Sequence, residues 1–383
     1  MITSEIEHYE YYFADEVSSV PFFPIEDEER LLSQSQTGRS RVSANVERPA
    51  ERRDEVRVVC GACSKRGPRD YQEDRYVAIT DLDDAMLDAG YASPFQGESS
   101  SYFAVYDGHS GSDASSYLEA NLHLHICNHA RFMEEIEHAI VESCVQIDES
   151  FLDICRETRR YAGTTATGAF LLGNKLTVFN IGDCQAVLSS NGCPRVLLQP
   201  HKPNREDERS RIGAAGGWIT EERELFMGRL HRMDLSDDFV KEEARKVTWV
   251  VNYRVCGELA VSRSIGDPDY KRFTPGEVVS SPYFLWPKGH DSIFHADLVI
   301  PDPECITIDI TPKDDFLILA SDGLWDVVSA DDAVGFVKKH IASGKTAKEA
   351  AEDLCELALR LGSGDNVTVV IALFDHSAQM QTD

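Results

Sequence analysis

Carboxylates stand at five places in this sequence where apolar, strand-like runs meet glycine or a polar turn. Asp107 follows "YFAVY" and is itself followed by Gly108 and His109. Asp322 closes "FLILASD", and Asp365, after Gly364, opens "DNVTVVIALF". Glu73 and Asp74 precede "RYVAIT", and Asp183 sits in "NIGDCQAV" between two such runs. One Asp beside a Gly is ordinary turn chemistry. Five places of this kind would converge if their strands shared a sheet end, and clustered anions repel unless cations neutralise them. Hard oxygen ligands select Mg2+ or Mn2+. Two such ions, about 3.5–4 Å apart, suit in-line phosphoryl chemistry. A nearby imidazole can protonate a leaving oxygen, and an Arg fork can hold phosphate oxygens bidentately. His109, two residues after Asp107, and Arg69, four before Glu73, are the right types in the right places.

Other readings of these and similar stretches fail on spacing. A calcium loop beginning at Asp107 requires Gly at 112 and Glu at 118, where the chain has Ser112 and Leu118. A nucleophile elbow through Ser110 requires Gly at 112 and meets the same Ser. "SGKT" at 343–346 resembles the end of a phosphate-binding loop, but its first Gly would fall on Lys339, and a helical pattern precedes it. "CGAC" at 60–63 has no second pair at zinc-finger spacing. In "HLHICNH", His125 and His129 share a helical face, where surface and core roles are the commoner ones.

The elements that must position these groups can be read from periodicity. Short β-type runs are "EVRVVCGA", "RYVAIT", "YFAVYD", "TTATGAFLL", "KLTVFNIG", "QAVLSS", "CITIDI", "DFLILASD" and "NVTVVIALF". Helical spacing puts Ile136, Ile140, Ile147, Phe151 and Ile154 near one face of a long segment. "SDASSYLEANLHLHI" predicts a helix with Ser112 or Asp113 as its N-cap. "DDAVGFVKKHI" and "TAKEAAEDLCELALRLG" predict two more, the second closing on Gly362. Many short strands, several in hairpin order, with helices in pairs point to an α+β fold with helices outside antiparallel sheets.

Composition bounds the partners. The chain has 383 residues, 38 Lys and Arg, and 66 Asp and Glu, a net charge of −28. That charge repels nucleic-acid phosphate and anionic membrane, so neither is expected as a partner. Ten cysteines without regular spacing read as reduced thiols in a chain with ample core. No apolar run reaches the roughly 18–20 residues of a membrane span, and no signal peptide or lipidation box is read, so no membrane insertion is expected. A cytoplasmic and/or nuclear location follows as the default expectation. Residues 1–55 are polar and aperiodic and read as a disordered tail. The globular pattern runs over 56–376, and 377–383 form a short C-terminal tail.

In this order, the motifs resemble those of the metal-dependent Ser/Thr protein phosphatases of the protein phosphatase 2C family. They are "RDYQED", "YDGHSG", "AGTTA", "GDCQAV", "KPNREDERSRI", "LAVSRSIGD", "SDGLWDVV" and "GDNVTVV". The resemblance implies a four-layer α-β-β-α sandwich with a two-metal centre at one end, holding Mn2+ or Mg2+. Asp107 would bridge both ions and Gly108 would give its carbonyl. Asp322 and Asp365 would hold one ion and Glu73 the other, with Asp74 just behind. Arg69 would bind the substrate phosphate, and His109 would be the general acid. Asp183 and Asp326, with Asp322, look like the family's third, weaker metal site. The implied reaction is hydrolysis of phosphoserine and phosphothreonine in proteins by a metal-activated hydroxide without a phosphoenzyme. A monomer with phosphoprotein substrates is the implied assembly.

The sequence departs from the family pattern at Ser110-Gly111, Ala162 and Cys184-Gln185, none of which removes a ligand. Two stretches look longer than the family core, residues 221–249 and 274–299. The second is rich in aromatics and Pro, which suits either a docking surface or a family-specific loop. The competing reading is a catalytically weak relative that binds phosphoproteins as a regulatory module, and a missing ligand would be its mark.

Overall fold

The apolar runs become strands with both faces covered. The computed structural model describes residues 56–376 apart from 96, 226, 247, 248 and 275. The tails expected at 1–55 and 377–383 lie outside the described residues. In chain order the first elements are β1 (Arg57–Lys65), β2 (Arg75–Ile79), α1 (Leu82–Asp88), β3 (Ser100–Tyr106), β4 (Gly108–His109), α2 (Asp113–Cys127) and α3 (Ile136–Thr158). There follow β5 (Gly163–Thr164), β6 (Ala166–Leu172), β7 (Lys175–Ile181), β8 (Gln185–Ser190), β9 (Cys193–Val196) and α4 (Glu206–Ala214). Next come β10 (Ile219–Leu225), α5 (Met227–Arg232), α6 (Asp238–Ala244), β11 (Trp249–Val255) and β12 (Ile265–Gly266). The last are β13 (Glu304–Asp309), β14 (Asp314–Ala320), α7 (Asp322–Trp325), α8 (Ala330–Ala342), α9 (Ala347–Arg360) and β15 (Val367–Asp375).

Two five-stranded sheets form the centre, ordered β1-β15-β14-β8-β9 and β13-β7-β6-β3-β2. Every pairing in them is antiparallel. Alternation of side chains along each strand divides the apolar residues between two layers. In β14, Leu317 and Leu319 join Val370 and Ala372 of β15 and Phe103 and Val105 of β3 between the sheets. Phe316, Ile318 and Ala320 point the other way, onto Val334 and Val337 of α8 and Leu354 and Ala358 of α9. On the opposite side, Tyr102, Ala104 and Tyr106 of β3 meet Leu118 and Leu122 of α2 and Ile140, Ile147 and Phe151 of α3. The four-layer α-β-β-α order follows directly. Each fully buried large apolar side chain contributes roughly 1.5–3 kcal/mol, so these three layers can hold a strained, polar end.

Register decides which end that is. Tyr106 pairs with Arg75, Ala166 with Ile181, and Ala320 with both Val369 and Gln185. The residues just beyond these pairs are Asp107, Asp74, Asp183, Asp322 and Asp365. Each sheet therefore collects its carboxylates at one edge.

The predicted helices form where expected. Ser112 is the N-cap residue of α2, and α9 has a Thr346–Glu349 capping box and Gly362 at φ +82° just past its end. The stretch at 221–249 holds structure that periodicity did not reveal. It is the hairpin β10–β11, with α5 and α6 between its strands. Most aromatics of residues 274–299 turn inward. Phe284 and Phe294 are buried with Trp286 packed beside them, and all three pack on Trp218. Tyr283 and Leu285 face out. All ten cysteines are free thiols. Among the described residues, no helix is long and apolar enough to cross a membrane.

Candidate metal centre and active site

Carboxylate oxygens of Asp107, Asp183 and Asp322 lie within 4.8 Å of one another. Asp107 leaves β3, Asp183 lies in the β7–β8 turn and Asp322 begins α7. The turns are held by close backbone approach. A Cβ on Gly323 would meet the Asn366 carbonyl at 1.9 Å, so only Gly lets the Asp322 and Asp365 loops touch. A Cβ on Gly108 would meet the Glu73 carbonyl at 2.5 Å.

Burial, then the charges of Asp74, Asp322, Asp183 and Asp365, holds Asp107 well above the usual carboxylate range. Burial, then Asp183, Asp326 and Asp365, does the same to Asp322. Asp74 is pushed up to about 6, chiefly by burial, although Thr368 and Ser321 donate to it at 2.7 and 3.0 Å. An all-oxygen set whose members repel one another fits a hard divalent cation such as Mg2+ or Mn2+.

The remaining sequence candidates surround this basin. Glu73 Oε1 accepts the Gly111 N–H at 2.5 Å, and its carbonyl accepts from Ser115 Oγ at 2.5 Å. Asp365 is turned to a different partner. Its Oδ2 accepts from Arg69 Nη2 at 2.7 Å, while Arg69 Nε donates to the Gly364 carbonyl at 3.0 Å. Asp183 thus lies in one cluster with Asp107 and Asp322, and Arg69 pairs with Asp365 beside it. Asp326 ends α7, and burial and Asp183 raise its pKa.

Three residues were passed over by sequence reasoning. Lys202 Nζ lies 3.2 Å from Asp183 and 3.9 Å from Asp326, and their charges hold its pKa above the usual lysine value. His201 is buried, and its Nδ1 accepts the Gly182 N–H at 3.1 Å, which fixes the turn that carries Asp183. Asp267 meets His109 Nε2 at 2.8 Å. Burial lowers the pKa of His109, but the charge and hydrogen bond of Asp267, with the charges of Glu73 and Asp183, together raise it above the usual imidazole value. Lys202 and Asp267 fell inside matched motifs, and His201 directly precedes one. No local pattern marks a residue whose partner lies far along the chain.

The chain is a two-sheet sandwich with a cluster of carboxylates at one end. A sequence model of the family described as Protein phosphatase 2C matches residues 62–367. Probable protein phosphatase 2C 52 of Oryza sativa subsp. japonica is 35% identical, covering 83% of this chain and 50% of that protein. Probable protein phosphatase 2C 59 of Arabidopsis thaliana is 32% identical, covering 82% and 79%. The serine-threonine phosphatase 2C structure from Toxoplasma gondii superimposes with a TM-score of 0.57 at 21% identity, covering 82% of this chain and 94% of that one. A C. elegans sex determining protein does so with a TM-score of 0.58 at 22% identity, covering 82% and 64%. This chain belongs to the protein phosphatase 2C family. It spans about half the length of the rice relative and 60% of Probable protein phosphatase 2C 76 of Arabidopsis thaliana.

Proposed function

We propose that this chain hydrolyses phosphoserine and phosphothreonine in proteins, with Mn2+ or Mg2+ as cofactor. The observation that carries this reading is the partly buried basin of Asp107, Asp183 and Asp322, whose mutual repulsion calls for divalent cations. Two ions are proposed, and Asp107 would serve both. Glu73 and the Gly108 carbonyl would serve one, and Asp322 and Asp365 the other. Asp183 and Asp326 would offer a weaker third position beside Lys202. Bound cations supply Lewis acidity to water and to the phosphoryl oxygens. The chain's own groups do the rest. Arg69 is half exposed at the rim and offers its guanidinium to phosphate. His109 gives a proton to the leaving seryl or threonyl oxygen. Asp74, buried behind the basin, accepts from Ser321 and Thr368 and so ties the Glu73 turn to β14 and β15. We propose that the chain acts as a monomer on phosphoprotein substrates.

The test is phosphate release from a phosphothreonine peptide, with and without Mn2+, for wild type and Asp322→Asn. Mn2+-dependent release that falls at least about a hundredfold in the variant is expected. Full release by the variant, or release that ignores a chelator, overturns the assignment.

A further inference from the structure

His109 is held by one ring nitrogen only. Its Nε2 lies 2.9 and 2.8 Å from the two oxygens of Asp267, while its Nδ1 has no hydrogen-bond partner among the described residues. The His109 side chain is 26% exposed and that of Asp267 5%, so the pair closes inward and the ring reaches outward.

A set of buried contacts with no other evident purpose holds Asp267 in place. Its backbone is left-handed at φ 56°, ψ 58°, a costly conformation for a residue other than Gly. Its N–H donates to the Ala162 carbonyl at 3.2 Å, and Ser264 Oγ donates to its Oδ2 at 2.5 Å. A buried ion pair braces the turn from below. Lys271 Nζ meets Asp148 of α3 at 2.6 Å and donates to the Ser264 carbonyl at 2.9 Å, and Asp148 also accepts the Gly266 N–H at 2.7 Å. Gly163 of β5 leaves room for the pair. A Cβ there would stand 2.3 Å from Asp267 Oδ2 and 2.4 Å from His109 Nε2.

We propose that Asp267 is the positioning residue for His109, holding the ring by Nε2 so that Nδ1 is the nitrogen that delivers the proton. This rests on the phosphatase reading above. In the step, water adds its oxygen to phosphorus and the ester P–O bond breaks. The leaving seryl or threonyl oxygen takes the proton from Nδ1. The ring, a cation with a proton on each nitrogen before the step, is left neutral with its Nε2–H on Asp267, and the proton released by the attacking water returns to Nδ1 through solvent. Asp267 stays a carboxylate throughout. Without it the ring can rotate, or carry its proton on the wrong nitrogen.

Leaving groups separate this role from a merely structural one. An alkyl phosphate needs protonation of its leaving oxygen far more than an aryl phosphate does. Turnover at saturating Mn2+ is compared for a phosphothreonine peptide and for p-nitrophenyl phosphate, in wild type, Asp267→Asn, His109→Gln and the double variant. Asp267→Asn is expected to slow the peptide about 10- to 100-fold and the aryl ester less than about threefold. In the double variant, Asp267→Asn should add nothing to His109→Gln, since it acts through that ring. Should Asp267→Asn melt early, Ser264→Ala, which removes one hydrogen bond to Asp267, must show the same split in smaller degree. Equal slowing of both esters, or an Asp267 effect that persists without His109, overturns the proposal while leaving the phosphatase reading intact. A wild type inert towards both esters overturns the two together.

Discussion

Lys202 places an ammonium between Asp183 and Asp326, where the family resemblance implies a third, weaker cation. The nearly buried Asp183 has little solvent to stabilise its charge, so Lys202 carries much of that load. Lys202→Met keeps the aliphatic stem and removes the charge. Metal-free protein should then lose about 1–2 kcal/mol, because one partner of a partly buried pair is left uncompensated and the half-exposed ammonium is screened. Thermal melts in a chelator read this loss, and added Mn2+ should narrow the gap by neutralising the same carboxylate. A variant that melts with wild type under both conditions would show that Lys202 bears no such charge load.

The helices that cover the sheets are tied down by particular contacts. Gly61 of β1 lets α9 approach so closely that a Cβ would stand 2.1 Å from the Lys348 nitrogen. On the other face, His123 of α2 lies stacked on Tyr102 of β3, with ring centroids 5.6 Å apart. Its Nδ1 is buried without a hydrogen-bond partner among the described residues. Burial pushes this imidazole down to about 4. In the unfolded chain it titrates near about 6.5, so unfolding takes up a proton between about pH 4 and 6.5. The helix–sheet contact therefore contributes stability that is complete above about pH 6.5 and is lost as the pH falls towards 4, about 3 kcal/mol in all. His123→Phe keeps the stack and cannot titrate. Denaturant melts from pH 7 to 4 should show a shallower decline for the variant than for wild type, and parallel curves would remove His123 from the acid response.

Charge governs the behaviour of the whole molecule. Part of the net −28 is concentrated in the basin at the end of the sandwich, where burial and repulsion oppose folding. A cation that binds only the folded basin must therefore stabilise the entire domain. The melting temperature should rise with free Mn2+, following a gain of about 2.7 kcal/mol at a hundred times the dissociation constant, and chelation should reverse it. A melting temperature indifferent to millimolar Mn2+ and Mg2+ would count against a metal centre here. The insert helices join this end too. Arg229 of α5 donates to the Val327 and Leu361 carbonyls at 3.2 and 2.8 Å, which couples the insert to the loops carrying Asp326 and Asp365.

The sequence by itself determined the strands, the main helices and the carboxylates at strand ends. Those features depend on neighbours two to four residues apart, such as alternation in "FLILA" or the Thr346 cap, and local geometry enforces them wherever the chain goes. Ordered motifs then fixed the family and the expected roles of Asp107, Asp322 and His109. Tertiary structure alone decided which charges meet. Asp267 reaches His109 across 158 positions, Arg69 pairs with Asp365, and Lys202 pairs with Asp183. It also folded the 274–299 aromatics onto Trp218 and paired the ends of the 219–255 hairpin. Such contacts are chosen by the packing of whole layers and by the need to neutralise buried charge. Neither quantity has a period or a spacing that can be read along a single chain.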